Sequence, residues 1–277
     1  RKPLFADPLV REALAYLWDF EWVNQNLMFN AYQRTRSFFD NSELAATGLP
    51  SDAEIALLEP FRGMIPDRVF TQSYHPPVSD GSGGDRNNLR KAMGLLKQAG
   101  FELKDGVLVR SSDGAVLDFE ILLSSSLSEA NAQALVRGVE RVGGKATIRI
   151  VDSAQYVEKV QAHDFDMVIL VFPQSQSPGN EQREYWGSAA ADQQGSRNYF
   201  GFKNKAVDAL IEQLIASQSR DVLIDHVRAL DRILQWNFLL IPHFYSSADR
   251  IAYWEKRLDY PAQSSKKGVN LLTWWAK

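Results

Sequence analysis

The chain has 277 residues, 45% of them hydrophobic, a formal net charge of −3 and no cysteine. That is ample apolar material for a core in one large domain or two smaller ones, and no basic field favours nucleic acid or anionic lipid. Without cysteine there are no disulfides, thiolate nucleophiles or cysteine metal sites, although disulfide-free proteins occur in oxidising and reducing compartments alike.

The longest apolar runs, 167–172 and 238–242, fall far short of the roughly 20 residues of a membrane-spanning helix. The chain opens RKPLFADP with neither an initiator Met nor a signal peptide, which reads as a processed product or a fragment. Asp7-Pro8 supplies an N-cap and a first-turn proline for a helix carrying Val10, Leu14 and Leu17. Asp19 is placed to cap a second helix with Val23 and Leu27. Residues 31–84 predict an ordered but irregular excursion, with a short helix near 53–58. Leu89, Ala92, Met93 and Leu96 keep helical spacing, and Gly100 supplies the stop. Asp105-Gly106 and Asp113-Gly114 predict hairpin turns, the second leading into a strand at 116–123.

An α/β alternation follows. A helix bears Ala132, Leu135, Val136 and Val139 and stops at Gly143-Gly144. Next come a strand over 146–152, a short helix with Tyr156, Val157 and Val160, and a buried apolar strand over 167–172. Such alternation predicts crossover units packed on a sheet. Beyond residue 204, Val207, Leu210, Ile211 and Leu214 form one helical stripe. Leu223, Val227, Leu230 and Leu234 form another, capped by Ser219. The stretch 238–254 reads as extended.

The connection 173–202, PQSQSPGNEQREYWGSAAADQQGSRNYFGF, is long for a compact domain, and connections of that length are functional or disordered. Its aromatic residues argue against disorder. Aromatic walls with a few polar groups suit an organic ligand, so this segment is expected to form the floor of a binding site.

Motifs for chemistry are sparse. Gly81-Ser82-Gly83-Gly84 lacks the Gly-Lys-Ser/Thr ending of a phosphate loop and reads as a turn. Lys266-Lys267 is too short for a nucleic-acid patch. The four histidines, His75, His163, His226 and His243, show no metal-ligand spacing. His226 is expected to be solvated, and His243 to be core, surface or pocket rim. Glu181 and Glu184 could act as an acid–base pair of a hydrolase, but one turn apart they read more simply as exposed acids or ligand contacts. No Gly-x-Ser-x-Gly elbow is present. Trp18, Trp22 and Trp236 fall on helices as packing residues, whereas Tyr185-Trp186 lie in the polar connection and are expected at the pocket. The expectations are therefore no catalytic residues, no metal and no cofactor.

Several stretches resemble a known family. DPLVREALAYLWDFEWVNQNL resembles the opening of the second lobe of peptide-binding receptors of bacterial ABC importers, the extracellular solute-binding proteins of family 5. NLRKAMGLLKQAGF followed by KDG and a strand, and VDALIEQLIASQSRDVLIDHVRALDRILQWNFLLIPHFY, are similar to later parts of the same lobe. RTRSFFDNSELAATGLP and QSQSPGNEQREYWGS resemble the YejA-type subgroup, linked to oligopeptides and peptide-containing compounds.

The resemblance implies an α/β, periplasmic-binding-protein-like lobe of type II, in the peptide-binding cluster. Residues 1–238 would form the second lobe and 239–277 a return segment to the first. It further implies a periplasmic location, a non-catalytic receptor, and three partners: a peptide or peptide conjugate, the N-terminal half of the same receptor, and an ABC permease in the inner membrane. A muropeptide is the alternative ligand. The family's oligopeptide receptors place an Arg and an Asp around the strand matching FDMVILVF, the Asp pairing with the ligand ammonium. Here that strand is apolar after Asp166. Glu181 is the nearest acidic replacement, with Arg183 and Arg197 available for a carboxylate. The expected lining is Phe172, Gln174, Ser175, Gln176, Ser177, Asn180, Glu181, Arg183, Tyr185, Trp186, Arg197, Asn198 and Tyr199, joined by Arg34, Phe38 and Phe39.

Overall fold

In the computed structural model, which describes residues 2–263 and 268–277, Asp7 caps helix α1 (Pro8–Leu17) by accepting the Leu9 N–H at 2.8 Å. The Lys266-Lys267 pair lies outside the described residues. Asp19 likewise caps α2 (Phe20–Leu27) through the Trp22 N–H. Strand β1 (Gln33–Arg34), helices α3 (Asp52–Leu58) and α4 (Arg68–Thr71) and a single 3-10 turn over Glu59–Phe61 are the only regular pieces in the excursion among the described residues. The glycine-rich run is a turn whose N–H groups are already used: Gly83 donates to Asp19 and Gly81 to Ser79.

Helix α5 (Arg86–Gln98) leads into the hairpin of β2 (Phe101–Lys104) and β3 (Val107–Arg110), turned by Asp105 and Gly106, both at positive φ. At Asp113-Gly114 the chain turns again, held by the Arg110 N–H on the Ala115 carbonyl at 2.8 Å. Only the single bridge Val109–Val116 forms before β4 (Asp118–Leu123), so that strand starts two residues later than expected. Helix α6 (Glu129–Arg141), β5 (Lys145–Ile150), α7 (Ser153–Gln161) and β6 (Met167–Val168) complete a parallel three-stranded sheet in the order β5-β4-β6.

Helix α6 packs close to α1. A Cβ on Gly138 would lie 2.0 Å from the Leu17 carbonyl oxygen, so only glycine permits that approach. The hairpin, the sheet, α1, α2, α5 and α6 share one core.

A second core is built by α8 (Glu181–Trp186), α9 (Lys205–Ile215), α10 (Arg220–Trp236) and the excursion. The predicted stripe Val207, Leu210, Ile211 and Leu214 is buried throughout, and Asn204 and Ser219 cap the two long helices. Beyond them, β7 (Phe244–Tyr245) pairs antiparallel with β1, and β8 (Leu258–Asp259) pairs with β9 (Trp275–Ala276).

Three expectations need correction. The buried strand over 167–172 is laddered at only two residues, both half-buried, and Val171 is 87% exposed. The sheet partner β4 ends its register with β6 at Leu122–Val168, and beyond it the chain runs out along a cavity rather than into the core. The segment 238–254 carries only the two ladder residues of β7. His226 is half-buried, with Nδ1 2.8 Å from the Ser217 hydroxyl, and burial lowers its pKa.

Candidate functional site

The two cores meet around a cavity of about 1120 Å³. Its walls come from Arg11 and Leu14 of α1 with Trp18 at its C-cap, Asn131, Ala132 and Leu135 of α6, and residues 165–172 along and beyond β6. Thr35–Phe38 with Asp40 and Asn41, the loop 199–204 and the segment 237–246 close the remainder.

Phe172 is the centre of an aromatic cluster. It stacks on Trp186 (5.6 Å, 24°) and Phe200 (5.8 Å, 21°) and meets Tyr185 and Tyr199 edge-on, each at 6.0 Å. Trp186 stacks on Phe200 as well and takes the edge of Phe38 at 4.9 Å. Offset and edge-to-face contacts at these distances fix ring orientation beyond what burial alone does. Behind the rings, Trp186 Nε1–H donates to Gln182 Oε1 (2.9 Å), and Gln182 Nε2–H donates to Gln174 Oε1 (2.8 Å).

The excursion is held by α10 rather than by secondary structure of its own. The buried Asp231 carboxylate accepts four donors: the Ser37 hydroxyl (2.6 Å), the Phe38 N–H (3.0 Å), the Ala46 N–H (2.9 Å) and Gln235 Nε2 (3.0 Å). Burial pushes its pKa up to about 7, while Ser37 and the two backbone N–H groups pull the other way. The next residue, Arg232, pairs with Glu54 and donates to the carbonyls of Thr47, Gly48 and Leu49. Both side chains of that pair are almost wholly buried. A single helix thus ties down a loop that would otherwise leave buried backbone groups unpaired.

Of the residues expected to line the site, Phe38, Phe172, Gln174 and Tyr199 border the cavity. Trp186 and Asn198 have no exposed surface, and Tyr185 and Phe39 are buried as well. Asn198 braces its loop through the Gly187 and Phe202 carbonyls. Ser175, Gln176, Ser177 and Asn180 are exposed and outside the cavity wall. Glu181 accepts the Gly179 N–H at 2.9 Å, and Glu184 is exposed, so neither carboxylate faces the cavity as a hydrolase pair would require. Arg183 forms a two-point ion pair with Glu212 (2.7 and 2.6 Å), and Arg197 donates to the Tyr185 hydroxyl.

Asp166 does border the cavity, but its carboxylate accepts from Lys2 (2.8 Å) and the Glu120 N–H (3.0 Å). Arg34 is 8% exposed, and its guanidinium has no hydrogen-bond partner among the described residues; it lies over Trp18 at 4.7 Å and Phe20 at 5.3 Å. His243 borders the cavity, one of the three places its sequence position allowed, and Trp18 and Asn131 border it without having been singled out as lining. Asn131 carried a usable signal, since it interrupts the apolar face of α6 with an amide.

Residues 1–194 match the family model for bacterial extracellular solute-binding proteins, family 5, middle region. The chain belongs to this family. Among its relatives, the probable peptide-binding protein YejA of Agrobacterium fabrum is 42% identical over 277 residues, covering 100% of this chain and 45% of that protein. The peptidoglycan-binding protein YepA of the same organism is 38% identical over 276 residues, covering 99% and 45%. The oligopeptide-binding protein AppA from Bacillus subtilis, solved with a nonapeptide, superposes with a TM-score of 0.68 at 17% identity, covering 100% of this chain and 49% of that one. The fold is thus α/β and periplasmic-binding-protein-like, and the chain is YejA-like. It spans somewhat under half the length of the curated relatives it matches. No group of three or more His, Asp or Glu placed to hold a metal occurs among the described residues, and no helix among them is long and apolar enough to cross a membrane.

Proposed function

We propose that this chain is the second lobe of a periplasmic receptor together with a segment that returns to the first lobe. The receptor captures peptides or peptide conjugates between two lobes and delivers them to an ABC importer. Residues 1–238 make the lobe, and 239–277 run back to a first lobe formed by an N-terminal half. The observation that carries this reading is the cavity: about 1120 Å³, with Phe172, Tyr199 and Phe200 on one wall and amide, hydroxyl and backbone groups around it. That volume exceeds the roughly 300–1,000 Å³ of an ordinary small-molecule pocket and suits a chain of several residues.

Exposed apolar side chains in the return segment support the second half of the proposal. Leu272 is 94% exposed, Trp254 75% and Trp275 51%. Apolar surface of this kind is normally covered by a partner, and here the N-terminal half would cover it. The ligand would rest on Phe38, Phe172, Gln174 and Tyr199, with Tyr185 and Trp186 packed against Phe172 and Asn198 bracing the loop of Tyr199. The likeness to a protein named as peptidoglycan-binding keeps a muropeptide as the second reading within the class.

The test is mass spectrometry of small molecules released from the receptor purified under native conditions. Linear peptides returned intact support the oligopeptide reading, and sugar-linked peptides support the muropeptide reading. Covalently altered peptides produced on incubation would reject a receptor.

A further inference from the structure

Trp18, Asn131 and His243 border the cavity and form one bonded chain. Trp18 Nε1–H donates to Asn131 Oδ1 at 3.1 Å. An indole nitrogen can only donate, so the carboxamide has one permitted orientation, with its oxygen toward Trp18. Its Nδ2 then faces His243 Nδ1 at 3.2 Å. An amide NH2 can only donate too, so Nδ1 must be the accepting nitrogen of the ring. A neutral imidazole with Nδ1 accepting carries its proton on Nε2.

The surroundings keep that ring neutral. His243 stacks on the Trp18 face at 4.2 Å and 15°, and on Phe244 at 5.9 Å and 11°. The Arg34 guanidinium lies over the same Trp18 ring at 4.7 Å. No hydrogen bond among the described residues neutralises that charge; Asp19 and Glu21 act on it only through space. Burial first, and the Arg34 charge second, pull the His243 pKa down to about 3. The Nε2 of His243 has no hydrogen-bond partner among the described residues.

We infer that His243 presents a fixed Nε2–H donor to the cavity and takes an amide carbonyl oxygen of the bound peptide. This rests on the peptide-receptor reading above. The neighbouring Arg34 charge gives the subsite a direction: it favours the negative end of a carbonyl dipole and repels an ammonium group. A ligand terminus of positive charge is therefore bound elsewhere in the cleft.

The receptor with both lobes is labelled with 15N-histidine, and long-range proton–nitrogen NMR reads the tautomer of each imidazole at pH 7. Signals of His243 are assigned by their loss in His243→Phe. In parallel, wild type, His243→Gln and His243→Phe are compared for retention of a randomised tetrapeptide pool. The Gln amide nitrogen replaces the Nε2–H donor, and Phe keeps the stack on Trp18 without a donor. The expected results are an Nε2–H tautomer, retention by His243→Gln within about threefold of wild type, and about a tenfold loss in His243→Phe, the scale of one buried hydrogen bond. An Nδ1–H tautomer or an imidazolium at pH 7 overturns the inference, and so does undiminished retention by His243→Phe. Where wild type retains no peptide, the receptor reading fails and this inference falls with it. Where wild type retains peptide and His243→Phe is unchanged, only the inference fails.

Discussion

Trp186→Ala separates a ligand contact from a structural one. From the sequence, Trp186 reads as a stacking surface, and its removal as a loss of affinity. In the fold it has no exposed surface and touches Phe38, Phe172, Tyr185 and Phe200. Truncating a buried Trp costs about 3–5 kcal/mol through lost transfer energy and the cavity left behind. The Gln182 acceptor would also lose its donor at a fully buried site, which adds about 1–3 kcal/mol. Against a typical total of about 5–15 kcal/mol, the variant should lie close to the edge of folding. Urea unfolding followed by tryptophan fluorescence and circular dichroism measures this directly. The midpoint should fall sharply with the slope unchanged, whereas Trp186→Phe should recover most of the loss. A Trp186→Ala protein within about 1.5 kcal/mol of wild type would refute the reasoning, because no buried, hydrogen-bonded Trp in a close-packed cluster is so dispensable.

Three further outcomes follow from the same coordinates. Glu54→Leu should cost about 3–5 kcal/mol, since it strands the buried Arg232 cation, and Glu54→Leu with Arg232→Met should recover part of it; a single variant as stable as wild type in urea would contradict this. Asp231, with its folded pKa raised to about 7, holds a proton that the unfolded chain has lost, so its share of stability declines as pH rises from about 4 to 7. His243, depressed to about 3, behaves in the opposite sense, and its share is lost as pH falls from about 6.5 to 3. Relative to wild type, Asp231→Asn should therefore lose stability on acidification and His243→Leu should gain it, read from urea midpoints between pH 4 and 7; parallel profiles would refute both assignments. Arg183→Gln breaks only an exposed ion pair and an exposed hydrogen bond to Asn180, and should leave the urea midpoint and peptide retention where they were.

Local rules made much of the fold legible. Asp7, Asp19, Asn204 and Ser219 each accept a first-turn N–H, and the stripes on α6, α9 and α10 are buried as their spacing predicts, except for half-buried Leu223 at the start of α10. What escaped was set by contacts distant in sequence. The run 167–172 has the composition of a buried strand, yet strand length depends on a neighbour, and β4 supplies one for only two residues. Tyr185-Trp186 sit in a polar stretch that does not show the six-residue helix α8 turning them inward onto Phe172 and Phe200. Phe38 and Tyr199 reach the cavity because Asp231 and Asn198, remote or internal to their loops, fix the backbone on which they ride.

The cavity takes its shape from a division of labour between α1 and α10. Arg11 of α1 donates to the Asn237 carbonyl at the end of α10 with two of its nitrogens, at 3.0 and 2.8 Å, and thereby joins the two cores at the cavity's base. Trp18, at the other end of α1, carries His243 and Arg34 on its ring. Asp231 and Arg232, within α10, hold the excursion that brings Phe38 to the wall. Helices thus position Phe38 and His243, while the loops supply the side chains. In the two-lobed receptor proposed above, such a frame would keep one half of the cleft preorganised before the other closes, and preorganisation lowers the entropy cost of capture.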